Sequence, residues 1–104
     1  MKTVFIADNH PITRKGIMCM LKNNKKFAII GKAGNAEDLY TSLRESTPDI
    51  LIMEIDIPQM NGINALRNIK TEFPKMRVLI FSTHPEESYA LRSIKSGAAG
   101  YCIF

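Results

Sequence analysis

Short apolar runs alternate with amphipathic segments from one end of this sequence to the other, and that alternation limits the fold more than any other feature. Val4-Phe5-Ile6-Ala7 is the first run, residues 27–30 are the second, and Ile50-Leu51-Ile52-Met53 is the third. Val78-Leu79-Ile80-Phe81 and Gly100-Tyr101-Cys102-Ile103-Phe104 complete the set. Runs this short and this apolar are expected of strands buried on both faces. Strands that alternate strictly with helices across short connections imply parallel pairing and right-handed crossovers. The expectation is an α/β fold: a doubly wound, five-stranded parallel sheet of flavodoxin-like order 2-1-3-4-5. The third run is the most apolar, which predicts a central strand.

The intervening segments carry helix signals. Pro11 stands where a first helical turn tolerates proline, and Ile12, Gly16, Ile17, Met20 and Leu21 are the predicted inner stripe. Asn35 is a predicted cap for the second helix, with Asp38 three residues on. Ala36, Leu39, Tyr40 and Leu43 form its apolar face, and Pro48 follows it. Residues 54–62 read as a loop. Ile63, Leu66, Ile69 and Phe73 mark a third helix closed by Pro74. Pro85, with Glu86 and Glu87 at the positive end of a helix dipole, opens a fourth helix. Ala90, Leu91 and Ile94 face inward from it, and Gly97 stops it.

At 104 residues, the chain suits one small domain with a single core. No apolar run approaches the roughly 18 residues of a membrane span, and the N-terminus lacks the pattern of a signal peptide. The expected location is therefore cytoplasmic, with no membrane partner. Cys19 and Cys102 lack metal-ligand spacing and read as buried free thiols. The net charge of +4 is concentrated locally by Arg14, Lys15, Lys22, Lys25 and Lys26. No aromatic residues interleave with these charges, so a solvated helix face is expected there and not a nucleic-acid surface.

In a sheet of this kind, function gathers at the carboxyl ends of the strands. The first strand ends in Asp8-Asn9, the third in Glu54 and the fourth in Ser82-Thr83. Asp8, Asn9 and Glu54 come from adjacent strands and form an oxygen-donor set of the type that hard cations take. Read singly, Asp8 and Asn9 are caps and Glu54 is a solvated loop residue. No glycine-rich phosphate loop follows the first strand. His10 and His84 lie near the same rim and read as turn residues, since neither has a nucleophile in sequence reach.

The segments Ala7-Asp8-Asn9-His10-Pro11, Pro48-Asp49-Ile50-Leu51-Ile52-Met53-Glu54, Pro58-Gln59-Met60-Asn61-Gly62 and Gly97-Ala98-Ala99-Gly100-Tyr101 together resemble the receiver domains of response regulators. The branch they resemble most carries a LuxR-type helix-turn-helix after the receiver (the NarL/FixJ type). The resemblance runs over essentially the whole chain. It implies phosphoryl transfer from a kinase phosphohistidine to an aspartate, with magnesium. It places Asp8 on the first acidic residue, Asn9 on the second acid that ligates metal, and Glu54 on the acceptor aspartate. It places Ser82 and Tyr101 on the switch pair and Phe104 on the phosphate-binding lysine.

Three of these positions depart from the pattern. Glu54 is longer than aspartate by one methylene, roughly 1.5 Å, and a misplacement of about 1 Å costs about a hundredfold where in-line geometry is required. Asn9 removes one negative charge from the cation site, which weakens magnesium. Phe104 removes a cation that would neutralise phosphoryl charge. The expectation is an atypical receiver, not an enzyme, that regulates transcription through protein contacts. The alternative is a working phospho-acceptor that uses magnesium, a histidine-kinase partner and Glu54 or Asp56. A dehalogenase-type phosphatase reading of Glu54-Ile55-Asp56 fails for want of an aspartate at 54 and of room for a cap.

The family fold also carries a fifth helix, and the sequence reaches Phe104 within or at the end of the fifth strand. Residues 1–104 are thus expected to be a receiver domain lacking that helix and any DNA-binding domain, so DNA contact would need a domain not in this chain. A bare apolar edge at Tyr101 to Phe104 predicts self-association. A fragment of a longer regulator, a stand-alone remnant, and a domain covered by another chain all remain open.

Overall fold

The first strand, β1 (Lys2–Ala7), lies between β2 (Phe27–Ala33) and β3 (Ile50–Glu54) in a parallel sheet completed by β4 (Arg77–Ser82) and β5 (Gly100–Ile103). The strand order is β2-β1-β3-β4-β5, so β3 is central as its composition predicts. This computed structural model describes residues 1–8, 10–22, 25–54, 62–82, 95 and 97–103; for residues 11–14, 20, 22, 62, 63, 82 and 101–103 it describes the backbone alone. The helices are α1 (Pro11–Lys22), α2 (Ala36–Glu45) and α3 (Gly62–Glu72). The predicted fourth helix, with Pro85, Ala90, Leu91 and Ile94, lies outside the described residues, as do His84, Asn9, Asp56 and Phe104.

Side-chain alternation along the strands divides the core into two layers. Phe5, Ala7, Leu51, Met53, Val78 and Ile80 point to one face and pack with Leu39 and Leu43 of α2 and Leu66 and Ile69 of α3. Val4, Ile6 and Phe81 point to the other face and meet Ile17 of α1. Each fully buried Leu or Ile contributes about 1.5–3 kcal/mol relative to exposure. The α1 layer is thinner. Ile50 and Ile52 are half-buried there, and Leu79 of β4 is 40% exposed.

Local signals explain the helix ends. Asn35 accepts a hydrogen bond from the Asp38 N–H at 2.9 Å and donates through Nδ2 to Asp38 Oδ2 at 3.0 Å, so the predicted cap closes in both directions. Arg44, in the last turn of α2, forks onto Glu72 of α3 with N–O distances of 2.9 and 3.0 Å. Lys70 Nζ donates to the carbonyls of Pro74 and Met76 just past α3. Gly97 has φ of 113°, which fits a glycine stop.

Four expectations require correction. Gly16 is exposed, and a Cβ built there meets nothing within 4 Å; its spacing matches the stripe, but the helix turns it outward. Cys19 is exposed, not buried, because its apolar sequence neighbours occupy the inner face of α1. The second strand continues past residue 30 to Ala33. Glu54 is the last residue of β3, opposite Phe81, and is buried, not a solvated loop residue.

Candidate functional site

The carboxyl ends of β1 and β3 bring two carboxylates together. Asp8 directly follows β1, and its N–H donates to the Ala33 carbonyl at 2.9 Å, which continues the β1–β2 ladder and fixes the backbone there. Glu54 ends β3 one step beyond Met53, the register partner of Ala7. Asp8 is 0% and Glu54 3% exposed, and they are the buried charged residues of the described chain.

His10 completes the cluster. Its backbone N–H donates to Asp8 Oδ1 at 2.9 Å, a local turn of the kind aspartate favours. The turn aims the ring back at the strand ends. Nδ1 lies 3.1 Å from Glu54 Oε2 and 3.4 Å from Asp8 Oδ1. The ring itself is 59% exposed, so it closes the cleft from the solvent side. Asp8, His10 and Glu54 each offer a ligand atom within 4.8 Å of the others.

Electrostatics follow from this crowding. Burial first, and then the hydrogen bond with Asp8, push the Glu54 carboxyl up to about 7, with His10 pulling the other way. Burying a carboxylate disfavours its charged form, and a second carboxylate adds to that. His10 is shifted upward, first through its hydrogen bond to Glu54 and then through the Glu54 charge.

The sequence singled out Asp8, Asn9, Glu54, Ser82, Tyr101 and Phe104. Asp8 and Glu54 do converge. The backbone of Ser82 ends β4 opposite Ile103, and Tyr101 pairs with Ile80; their side chains, with that of Cys102, lie outside the described residues. Asn9 and Phe104 also lie outside them. His10 is the residue that sequence reasoning missed. The Asp8-x-His10 spacing signals its turn, but its ring contact with Glu54 joins positions 44 apart.

Residues 4–103 match the response regulator receiver domain family. The chain belongs to that family. It is 30% identical over 100 residues to the transcriptional regulatory protein DegU of Brevibacillus brevis, covering 96% of this chain and 42% of that protein. It is 31% identical over 101 residues to the response regulator GacA of Pseudomonas aeruginosa, covering 97% of this chain and 47% of that protein. The crystal structure of a LuxR-family two-component response regulator from Aurantimonas sp. SI85-9A1 superposes with a TM-score of 0.89 at 34% identity, over 97% of this chain and 72% of that one. This receiver domain therefore groups with regulators of the LuxR type and spans about half the length of the curated relatives it matches. Among its described residues, no helix is long and apolar enough to cross a membrane.

The family implies magnesium at such strand ends. Magnesium takes oxygen ligands in a near-octahedral shell. Asp8 and Glu54 are the two carboxylates that would hold such an ion, with water completing the shell, and His10 is the nitrogen donor beside them among the described residues.

Proposed function

We propose that this receiver domain regulates transcription through protein contacts, with Glu54 standing at the phospho-acceptor position and not phosphorylated in the ordinary way. The observation that carries the reading is the engagement of Glu54 within the protein. Its carboxylate is buried, with Oε2 3.1 Å from His10 Nδ1 and a further hydrogen bond to Asp8. An acceptor must present an oxygen in line to an incoming phosphoryl group, and phosphoryl transfer rests on positioning and charge neutralisation. The extra methylene of Glu54, Asn9 at the metal-ligand position and Phe104 at the lysine position all oppose that requirement. In this reading Ser82 and Tyr101 remain the switch pair, coupled to the 54 position without a phosphoryl group.

The resemblance supports a histidine kinase as the upstream partner, the relatives' names as transcriptional regulators support DNA as a target reached through a domain outside this chain, and the apolar run of residues 101–104 supports self-association as the output. The competing reading, a phospho-acceptor using magnesium and a kinase, draws support from Asp8 and Glu54 remaining paired at the strand ends.

Light scattering at high micromolar concentration tests the output. The reading predicts self-association unchanged by a small phosphodonor with magnesium, and altered by Glu54→Ala. A monomer that associates only after phosphodonor treatment contradicts it.

A further inference from the structure

We infer that the amino end of the sheet is an auxiliary nucleic-acid surface, on which Lys2, Lys75 and Arg77 hold the phosphate backbone of duplex DNA without reading its sequence. The inference rests on the proposed reading only for the choice of DNA, which control of transcription brings within reach. It does not depend on the state of Glu54.

The fold collects these cations from distant parts of the chain. Lys2 opens β1 and Arg77 opens β4, on either side of β3. Side-chain alternation sets Lys2 with Val4 and Arg77 with Phe81, so both belong to the face of the sheet that carries α1, as does Ile50. Lys2, Lys75 and Arg77 are exposed and line one cavity of about 200 Å³ with Asp49 and Ile50. Lys25 and Lys26, also exposed, stand in the turn that enters β2, and the Lys2 N–H donates to the Lys26 carbonyl at 2.9 Å. The basic edge therefore crosses β2, β1, β3 and β4, which is three strand spacings or about 14 Å.

The acidic groups near this edge are engaged elsewhere or face away from it. Asp49 Oδ2 accepts from the Thr3 N–H and from Thr3 Oγ. Glu72 is held by the Arg44 fork, and Glu45 lines a different cavity with Ile30 and Lys32. Lys70 serves the carbonyls just past α3, so the end of that helix does not need Lys75 or Arg77.

A spread of exposed cations suits a polyanion better than a single anion, which it does not enclose. Duplex DNA carries one charge per about 1.7 Å of its axis, so an edge of this width meets several phosphates together and releases their counterions. Contacts of this kind position a duplex and carry no sequence information.

Fluorescence anisotropy with a labelled duplex of random sequence tests this. Binding is expected at about 50 mM salt, and three phosphate contacts predict a loss of about 40-fold between about 50 and 200 mM. Lys75→Gln combined with Arg77→Gln is expected to weaken binding by at least about tenfold and to lower the salt slope by about two. Lys15→Gln combined with Lys32→Gln removes the same charge from another exposed surface and is expected to change affinity by less than about twofold. Circular dichroism confirms that the variants fold. Equal weakening by the two pairs, which would mean attraction to net charge alone, overturns the inference. Tighter binding to vesicles of phosphatidylcholine with phosphatidylserine than to the duplex assigns the surface to a membrane and also overturns it. No binding at about 50 mM salt, alongside the self-association predicted above, overturns this inference and leaves the proposed function standing.

Discussion

Strands β1 and β3 meet at both ends of the sheet, and the two ends treat a carboxylate in opposite ways. At the amino end, Asp49 Oδ2 accepts from the Thr3 N–H at 2.8 Å and from Thr3 Oγ at 3.1 Å, while the Asp49 N–H donates to Thr3 Oγ at 2.9 Å. The Thr3 backbone N–H is the main cause that holds the Asp49 carboxyl below its usual range. At the carboxyl end, burial and a second carboxylate push Glu54 up to about 7. The first end matches donors to acceptors and stitches two strands together. The second crowds two buried acidic groups against each other and against the His10 imidazole. Groups held at odds with their solution chemistry cluster where proteins bind and react.

The largest expected effect tests the strained end. The folded-state value of Glu54, about 7, is above the unfolded value of about 4.3. Its contribution to stability is therefore fully present below the unfolded value and is lost as pH rises through about 7. Glu54→Gln removes that loss. In chelator-treated buffer, urea denaturation should show the variant more stable than the parent by about 1–2 kcal/mol at pH 8, after allowance for solvent screening, and no more stable at pH 4. Equal differences at both pH values would erase the contrast between the two ends.

The matched end should respond differently. Thr3→Ala deletes the hydroxyl that both donates to and accepts from Asp49. A fall in Tm on the order of 4 °C is expected, similar at pH 5 and pH 8. The smallest effect concerns acid. A carboxyl with a lowered folded-state pKa stabilises above its unfolded value and loses that contribution as pH falls through the folded one. Asp49→Asn should therefore flatten the decline of Tm below about pH 4, while leaving the neutral-to-alkaline limb set by Glu54 intact.

Much of this fold is legible in the sequence because each strand contains an apolar run and two of the described helices, α1 and α2, have a local start signal. Pro11 and the Asn35–Asp38 pair act within three residues of one another, so no knowledge of the tertiary structure is needed. The apolar run of the second strand stops at residue 30, where Gly31 and Lys32 break it, although the strand continues to Ala33. A Cβ at Gly31 would come within 2.7 Å of the Phe5 ring, so glycine there serves the packing of a neighbouring strand. Gly16 and Cys19 show the limit of spacing alone. Both fall in an apolar stretch, and both face solvent. At the site, Asp8 and Glu54 follow from the rule that ligands gather at strand ends. His10 does not, since nothing local distinguishes a turn histidine from one whose ring reaches a carboxylate on another strand.

On the reading proposed above, the internally engaged carboxylate of Glu54 stands in place of an acceptor. Intact-mass measurement after incubation with a small phosphodonor and magnesium tests it. The predicted result is an unchanged mass. A stoichiometric gain of one phosphoryl group, abolished by Glu54→Gln, would contradict it.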